Sequence, residues 1–400
     1  MTLPQKCLQS RWPLYEEDEI AAVAEVLRSG RVNSLHHGEN CRAFEAGFAN
    51  LCRMPYAISL ANGTVALELA LRALGVGPGC EVIIPARSFF ATASCVVAVG
   101  ATPVFADIDL VSQGIDPLSV QQMLTPRTRA VLCVHLGGWP CGVEDLKTIC
   151  EDHGLFLIED CAQAHGATVK GRPVGSFGDA AAFSFCTDKI ISTGGEGGML
   201  LLRDQGAYEW AWSYKDHGKR RSLVETGSIG SHFRWLHHSF GTNLRMTEIQ
   251  AAIGLCHLAK LPAWLTARRR NATMFREAFE GISGIQVDAP SASISPAFYK
   301  FYARVDAQIF PEPGARDAIA NTISSRGPVC GSGSCPEIYR EKAFDSGPFA
   351  SKRDLPNARS LGGCSLMFQC DHTLSVDDIG EIADIATSVI AGSVGKRVAA

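Results

Sequence analysis

The 400-residue chain has no CxxC pair among its 15 cysteines, no excess of positive charge, and aromatic residues at only 8%. No internal repeat or low-complexity tract interrupts it. Each absence excludes something. A net charge of −4 gives no general attraction to nucleic acid or to an anionic membrane. The first twenty residues hold no apolar segment of signal-peptide length. No later stretch reaches the roughly 18 apolar residues, free of Gly, Pro or charge, that a membrane span requires. The cysteines are scattered, and the nearest pairs are Cys330 with Cys335 and Cys364 with Cys370. They read as reduced, mostly buried thiols, with zinc binding by those four as the less favoured alternative because the ligand spacing is poor. The expectation is a cytoplasmic protein with no metal, no nucleic-acid partner and no membrane partner.

What is present is ordinary for a globular protein, at 46% apolar and 20% charged residues. The length favours two domains, or one large α/β domain with an appendage. EEDEIAAVAEVLRSG and ENCRAFEAGFANLC carry helical patterns. YAISLANGT then reads as a strand ending at a polar corner, and VALELALRALGVG as the helix that follows. Strand and helix patterns alternate up to residue 202. Runs such as VLCVHL and LFLIED are almost wholly apolar, as in a parallel sheet covered on both faces. Residues 203–240 have little apolar periodicity and read as a functional loop region. MTEIQAAIGLCHLAKL and LTARRRNATMFREAFEGI read as two successive helices, FYKFYARV and SLMF as strands, and GSVGKRVAA as a frayed tail. The expected division is a large α/β domain over residues 1–255 and a smaller α/β domain over 256–400.

In open α/β sheets functional side chains gather beyond the carboxyl ends of the strands. Lys189 sits there, between AAFSF and the glycine-rich STGGEGG. A lysine beside a buried strand ordinarily snorkels to water or pairs with a carboxylate. The functional alternative is a Schiff-base lysine, whose amine must shed a proton to attack a carbonyl; an enclosed site eases that loss. Asp160 ends LFLIED, where a buried carboxylate needs a cationic partner. That partner is either a basic side chain or the protonated ring nitrogen of pyridoxal phosphate. Asn62-Gly63-Thr64 stands at a strand-to-helix corner and serves either as a plain N-cap or as a phosphate site. Phe89 is either core or a ring-stacking face. The five signals occur in one order along the chain: phosphate corner, aromatic, strand-end carboxylate, lysine, glycine loop.

NGTVALELAL, VIIPARSFFATASCVVAVGATPVFADID, VHLGGWP, LIEDCAQAHGA, FSFCTDKIISTGGEGGM and GTNLRMTEIQAAIG together resemble the DegT/DnrJ/EryC1/StrS sugar aminotransferases. The resemblance covers nearly the whole chain. It implies a fold-type I pyridoxal phosphate enzyme with a mostly parallel central sheet flanked by helices and a smaller C-terminal α/β domain. By the same resemblance Lys189 forms the Schiff base and moves protons, Asp160 pairs with the pyridinium, and Gln163 lies near the ring hydroxyl. Phe89 stacks on the ring, and Gly63, Thr64 and Ser184 contact the phosphate. Asn243 reaches the phosphate of a neighbouring subunit, which implies a homodimer with shared active sites. The implied reaction moves an amino group from L-glutamate to a nucleotide-linked 3-keto or 4-keto hexose, in amino-sugar biosynthesis for surface polysaccharide or a glycosylated natural product.

Among the basic residues of 211–240, His217, Lys219, Arg220 and Arg234 are candidates for the sugar-nucleotide pyrophosphate, with a solvated basic loop as the alternative. A related reading, a pyridoxamine-phosphate sugar dehydratase, has histidine where this chain has Lys189. A non-catalytic regulator would not need the intact set of Lys189, Asp160 and Gln163. Three departures from the family pattern bear on the substrate rather than on the cofactor chemistry: Cys186, GSGSCPEIYREKAF, and FQCDHTLS.

Overall fold

The computed structural model describes residues 8–35, 38–225, 236–345 and 354–398. In chain order, β1 (Tyr56–Leu60), β2 (Glu81–Pro85), β3 (Thr102–Ala106), β4 (Thr128–Val134) and β5 (Phe156–Asp160) come first. A two-residue hairpin, β6 (Thr168–Val169) and β7 (Arg172–Pro173), separates them from β8 (Ala180–Ser184) and β9 (Gly198–Leu202). Seven of these strands form one sheet in the order β1-β9-β8-β5-β4-β2-β3. The pairings β2–β3, β2–β4, β4–β5 and β5–β8 are parallel. Strand β9 runs antiparallel to both β8 and β1. Every residue of β2, β8 and β9 is buried, the signature of strands covered on both faces. Successive residues serve opposite faces: on β8, Phe183 belongs to one core with Phe44, Phe48 and Phe185, and Ala182 to the other with Leu69, Ile84 and Leu200.

Strands β10 (Ile285–Gln286), β11 (Ile294–Ser295), β12 (Phe301–Val305), β13 (Cys330–Gly331) and β14 (Ser365–Phe368) follow. Four of them make a second sheet, β10-β12-β14-β13, and β11 joins the β6–β7 hairpin. A third core lies on this sheet, where Phe275 and Phe279 meet Phe301 and Phe368, and Ile379, Ile382 and Ile390 close it from the C-terminal helix Val376–Val398.

Three local secondary-structure expectations change: the helices after residue 245, the loop 203–240 and the tail. The two helices expected after residue 245 are one, Glu248–Phe279, with Pro262 inside it. The proline forfeits one backbone bond. Buried residues continue at helical spacing on both sides, Gly254, His257 and Leu261 before it and Leu265, Ala272 and Phe275 after it, and this packing carries the helix through. The expected division between residues 255 and 256 falls within this helix. Residues 203–240 are not simply loop: they contain the helices Gln205–Lys215 and Arg221–Glu225. The tail is helical to Val398 rather than frayed.

The segment after β13 returns to the large sheet. The Ile338 N–H donates to the Ala86 carbonyl at 2.8 Å, Ser88 bridges Cys335, and Ile338, Tyr339 and Phe344 are buried in the large-sheet core. This return places a wall from the second half of the chain opposite the carboxyl ends of β5 and β8.

Candidate active site

At those strand ends lies a cavity of about 930 Å³ whose lining includes Gly63, Thr64, Phe89, Asp160, Gln163, Ser184 and Lys189. All seven residues assigned by sequence to the same-chain cofactor site therefore meet in one place. Each arrives by a local mechanism. Strand β1 ends at Leu60, and Asn62 caps the next helix by accepting the Val65 N–H at 3.0 Å. The cap satisfies one donor of the first turn, while the N–H groups of Gly63 and Thr64 have no acceptor among the described residues. Gly63 is required there, because a Cβ would come within 2.7 Å of the Ser184 Cβ. A Cβ on Gly198 would lie 2.3 Å from the Asn62 carbonyl oxygen. The glycines thus let the helix N-terminus and the end of β8 converge, and the Ser184 hydroxyl completes a cradle of donors suited to an anion.

Asp160 closes the opposite side. It is buried, accepting the Ala162 N–H at 3.1 Å and the Thr92 hydroxyl at 3.3 Å. Burial pushes its carboxyl up, opposed by the Ala162 N–H and by the charge of Lys189. A cation beside it would remove the conflict. Its neighbour Glu159 fixes the strand end: it is fully buried and accepts N–H groups from Gly175, Phe177 and Gly178 at 2.7–2.8 Å, with His135 Nε2 at 3.1 Å. Burial works against the Glu159 carboxylate, but His135 and these N–H donors hold it below its ordinary range. Cys133 and Cys141 lie close to His135, yet both ring nitrogens are committed, Nδ1 to the Cys141 N–H at 3.2 Å and Nε2 to Glu159. The cluster reads as a hydrogen-bonded anchor for β4 and β5.

Lys189 has a side chain 16% exposed, with Nζ 3.8 Å from an Asp188 oxygen and 4.8 Å from the Tyr299 ring centroid. The pairing with Asp188 is loose, because the other Asp188 oxygen accepts the Tyr299 hydroxyl. Burial alone would raise Asp188; Lys189, Tyr299 and Lys300 hold it below the usual carboxylate range. The lysine backbone is fixed from outside the sheet, where the Trp12 indole N–H donates to the Lys189 carbonyl at 2.7 Å. Trp12 packs against His257, Trp264 and His372 at 4.9–5.3 Å. The strap continues to the small sheet, where Ser10 N–H donates to Gln369 Oε1 at 3.1 Å and Arg11 N–H to Thr373 at 3.0 Å. Trp12→Phe keeps most of the ring packing and removes the donor. We expect kcat to fall about tenfold or more through misplacement of the amine, with the KM values little changed, as steady-state kinetics would show.

Beneath the lysine, His165 is fully buried with its ring edge-on to Phe183 at 5.4 Å. Burial first, then the charges of Lys189 and Arg268, push it down to about 3. A depressed folded-state value means that the unfolded chain takes up the proton first, so stability present above the unfolded value drains away as pH falls. This one group should contribute a loss of about 2 kcal/mol between pH 7 and pH 5. Urea midpoints for wild type and His165→Phe at both pH values should show the variant losing that much less on acidification; parallel losses would contradict the assignment.

A phosphorylated aromatic aldehyde with a basic ring nitrogen fits these donors: the cradle for its phosphate, Asp160 for the ring nitrogen, Lys189 for the aldehyde. Gln163 Oε1 accepts the Gly137 N–H at 2.7 Å, which leaves its amide NH₂ for a ring oxygen. Phe89 is 67% exposed and lines the cavity, with no ring stacked on it among the described residues.

The remaining sequence candidates lie elsewhere. His217, Lys219, Arg220 and Asn243 form a separate cluster outside the cavity lining. The His217 N–H donates to Thr242 O at 3.0 Å, Asp216 bridges Asn243, and Lys219 bridges His237. Lys219 is nearly buried, and burial lowers its amine. Arg234 lies outside the described residues. Sequence reasoning missed Trp12, Tyr299, Lys300, Ser334 and Gln369. The last two fall in the segments that depart from the family pattern, and that departure was the available signal. Cys186, the third departure, lines the cavity with its thiol 3.7 Å from Glu196.

This combination of sheet order, strand-end lysine and buried carboxylate defines a pyridoxal-phosphate-type aminotransferase site. The profile of the DegT/DnrJ/EryC1/StrS aminotransferase family matches residues 13–387, and the chain belongs to that family; its cofactor is pyridoxal 5′-phosphate. It is 35% identical, over 78% of its length and 77% of the relative's, to dTDP-3-amino-3,4,6-trideoxy-alpha-D-glucose transaminase of Streptomyces venezuelae. It is 32% identical to GDP-perosamine synthase of Escherichia coli O157:H7 over 87% of this chain and 93% of the relative. Among solved structures, an aminotransferase from Psychrobacter cryohalolentis superposes with a TM-score of 0.91 at 43% identity, covering 96% of this chain and 99% of that one.

Proposed function

We propose that this enzyme transfers the amino group of L-glutamate to a keto carbon of a nucleotide-linked hexose, as a cytoplasmic homodimer supplying amino sugars for surface polysaccharide or a glycosylated product. The observation that carries the reading is the convergence of Lys189, Asp160 and the Gly63–Thr64–Ser184 cradle on one cavity, in a chain whose relatives are named for dTDP- and GDP-linked amino sugars. The cofactor supplies an electron sink for charge at the amino donor's Cα. The protein's residues do the rest. Gly63, Thr64 and Ser184 hold the phosphate, Phe89 and Gln163 orient the ring, and Asp160 keeps the ring nitrogen protonated. Lys189 Nζ would take the proton from the donor Cα and hold it for redelivery within the same site. In the second half of the cycle the same amine moves the proton the other way, onto the former keto carbon of the sugar.

The dimer accounts for residues that the single chain leaves aside. Asn243 is exposed and outside its own cavity, and three residues before it Phe240 is 99% exposed, an apolar side chain left for a partner surface. On this reading Asn243 serves the neighbouring subunit, and His217, Lys219, Arg220 and Arg234 lie toward the sugar nucleotide. Of the fourteen described cysteines, nine are buried free thiols, which suits a reducing compartment.

The test is a panel of UDP-, dTDP- and GDP-linked 3-keto and 4-keto hexoses with L-glutamate, read by mass spectrometry. The expected result is an amino sugar from one nucleotide and keto position, with 2-oxoglutarate in equal amount. A panel with no aminated product overturns the reading.

A further inference from the structure

The cavity has a second wall, built by the small sheet and facing the cofactor residues. Strands β12 and β14 pair with Phe301 opposite Phe368 and Tyr302 opposite Met367. The position before Phe301 and the position after Phe368 are Lys300 and Gln369, so two polar side chains stand at the same end of neighbouring strands, where both line the cavity. Ser334, on the segment that returns to the large sheet, lines it with them.

All three are donors without a matching acceptor among the described residues. Lys300 is half-buried, its Nζ 4.7 Å from the Tyr299 ring centroid, and it has no carboxylate in ion-pair reach among the described residues. Asp188, whose charge it feels, lies beyond ion-pair reach of it, with one oxygen taken by the Tyr299 hydroxyl and the other 3.8 Å from Lys189 Nζ. The orientation of the Gln369 amide is set by chemistry: the Ser10 N–H can only donate, so the atom it meets at 3.1 Å is Oε1, and the NH₂ group is left without an acceptor among the described residues. The Ser334 hydroxyl has no hydrogen-bond partner among the described residues. A half-buried ammonium beside an amide donor and a hydroxyl, with no carboxylate in ion-pair reach among the described residues, is a site for an anionic ligand.

The distances admit a dicarboxylic amino donor. Lys189 Nζ and Lys300 Nζ lie 4.8 and 4.7 Å from one ring centroid, which together cap their separation at about 9.5 Å. A donor Cα must come within about 3 Å of Lys189 Nζ for proton removal. In L-glutamate the side-chain carboxyl carbon is about 4 Å from Cα, and a charge-assisted hydrogen bond adds about 2.8 Å. These spans cover the gap. We propose that Lys300, with Gln369 and Ser334, binds the side-chain carboxylate of the amino donor, making this wall the element that selects a dicarboxylic amino acid.

The inference rests on the reading of L-glutamate as donor, and the test separates the two. With the loaded wild-type enzyme, kcat/KM is measured for L-glutamate and for its neutral isostere L-glutamine, then for Lys300→Met and Lys300→Arg. Glutarate, a dicarboxylate with no amine, is titrated calorimetrically into the same proteins. The expected result is a glutamate-over-glutamine preference that falls about tenfold or more in Lys300→Met, partial recovery in Lys300→Arg, and a matching loss of glutarate affinity. An unchanged preference in Lys300→Met, an equal loss for both amino donors, or a change confined to the sugar's KM overturns the carboxylate assignment. A wild-type enzyme that binds glutarate through Lys300 but turns over only some other amino donor overturns the glutamate reading instead.

Discussion

Lys189→Ala is expected to abolish amino transfer, lowering turnover by at least about a thousandfold. On the proposed mechanism the variant loses both the amine that tethers the cofactor and the acid–base group that moves the Cα proton. The fold should be spared, because the contacts that fix this loop are made by the backbone: Trp12 Nε1 to the Lys189 carbonyl at 2.7 Å and the Lys189 N–H to Cys186 O at 3.0 Å. Steady-state formation of 2-oxoglutarate and the visible absorption of the loaded protein provide the readout. Retention of more than about a tenth of wild-type turnover would remove Lys189 from the mechanism.

Asp160→Asn should have the second largest effect, and in opposite directions for activity and stability. The asparagine keeps the shape and can still accept the Ala162 N–H, but it has no charge to set against a protonated ring nitrogen. A loss of about a hundredfold to a thousandfold in kcat is expected, the range for removing one preorganised electrostatic partner. Without cofactor the buried carboxylate is itself a burden. Its folded-state value is raised, chiefly by burial, so its contribution is harmless at low pH and turns against folding as pH rises through the raised value. The unloaded Asp160→Asn protein should therefore be more stable than unloaded wild type at pH 8, with the difference shrinking toward pH 4, as denaturant midpoints would show. A variant less stable at both pH values, or one with full activity, contradicts the role.

The large sheet and its site were legible because the signals are local. The almost wholly apolar runs VLCVHL and LFLIED announce a parallel sheet, and the residues at the end of each run announce the cavity. Asn62 illustrates a letter with two correct readings: it caps the helix, and by doing so it leaves the Gly63 and Thr64 N–H groups to the cavity. The second wall was not legible, because Lys300, Ser334 and Gln369 meet through the pairing of β12 with β14 and through the return of residues 332–344 to the large sheet, contacts that no local pattern encodes. Pro262 misled for a related reason: the local rule stops a helix there, while burial on both sides of the proline keeps it going. Trp12 was silent because its partner is a backbone carbonyl 177 positions away.

The most direct test of the central claim follows one nitrogen atom. L-Glutamate labelled with heavy nitrogen is mixed with the loaded enzyme and the accepted keto-sugar nucleotide, and the products are weighed by mass spectrometry. Amino transfer through Lys189 and the cofactor predicts the label in the sugar, 2-oxoglutarate in equal amount, and neither product from Lys189→Ala. Release of the label as ammonia, or an unlabelled sugar product, would contradict it.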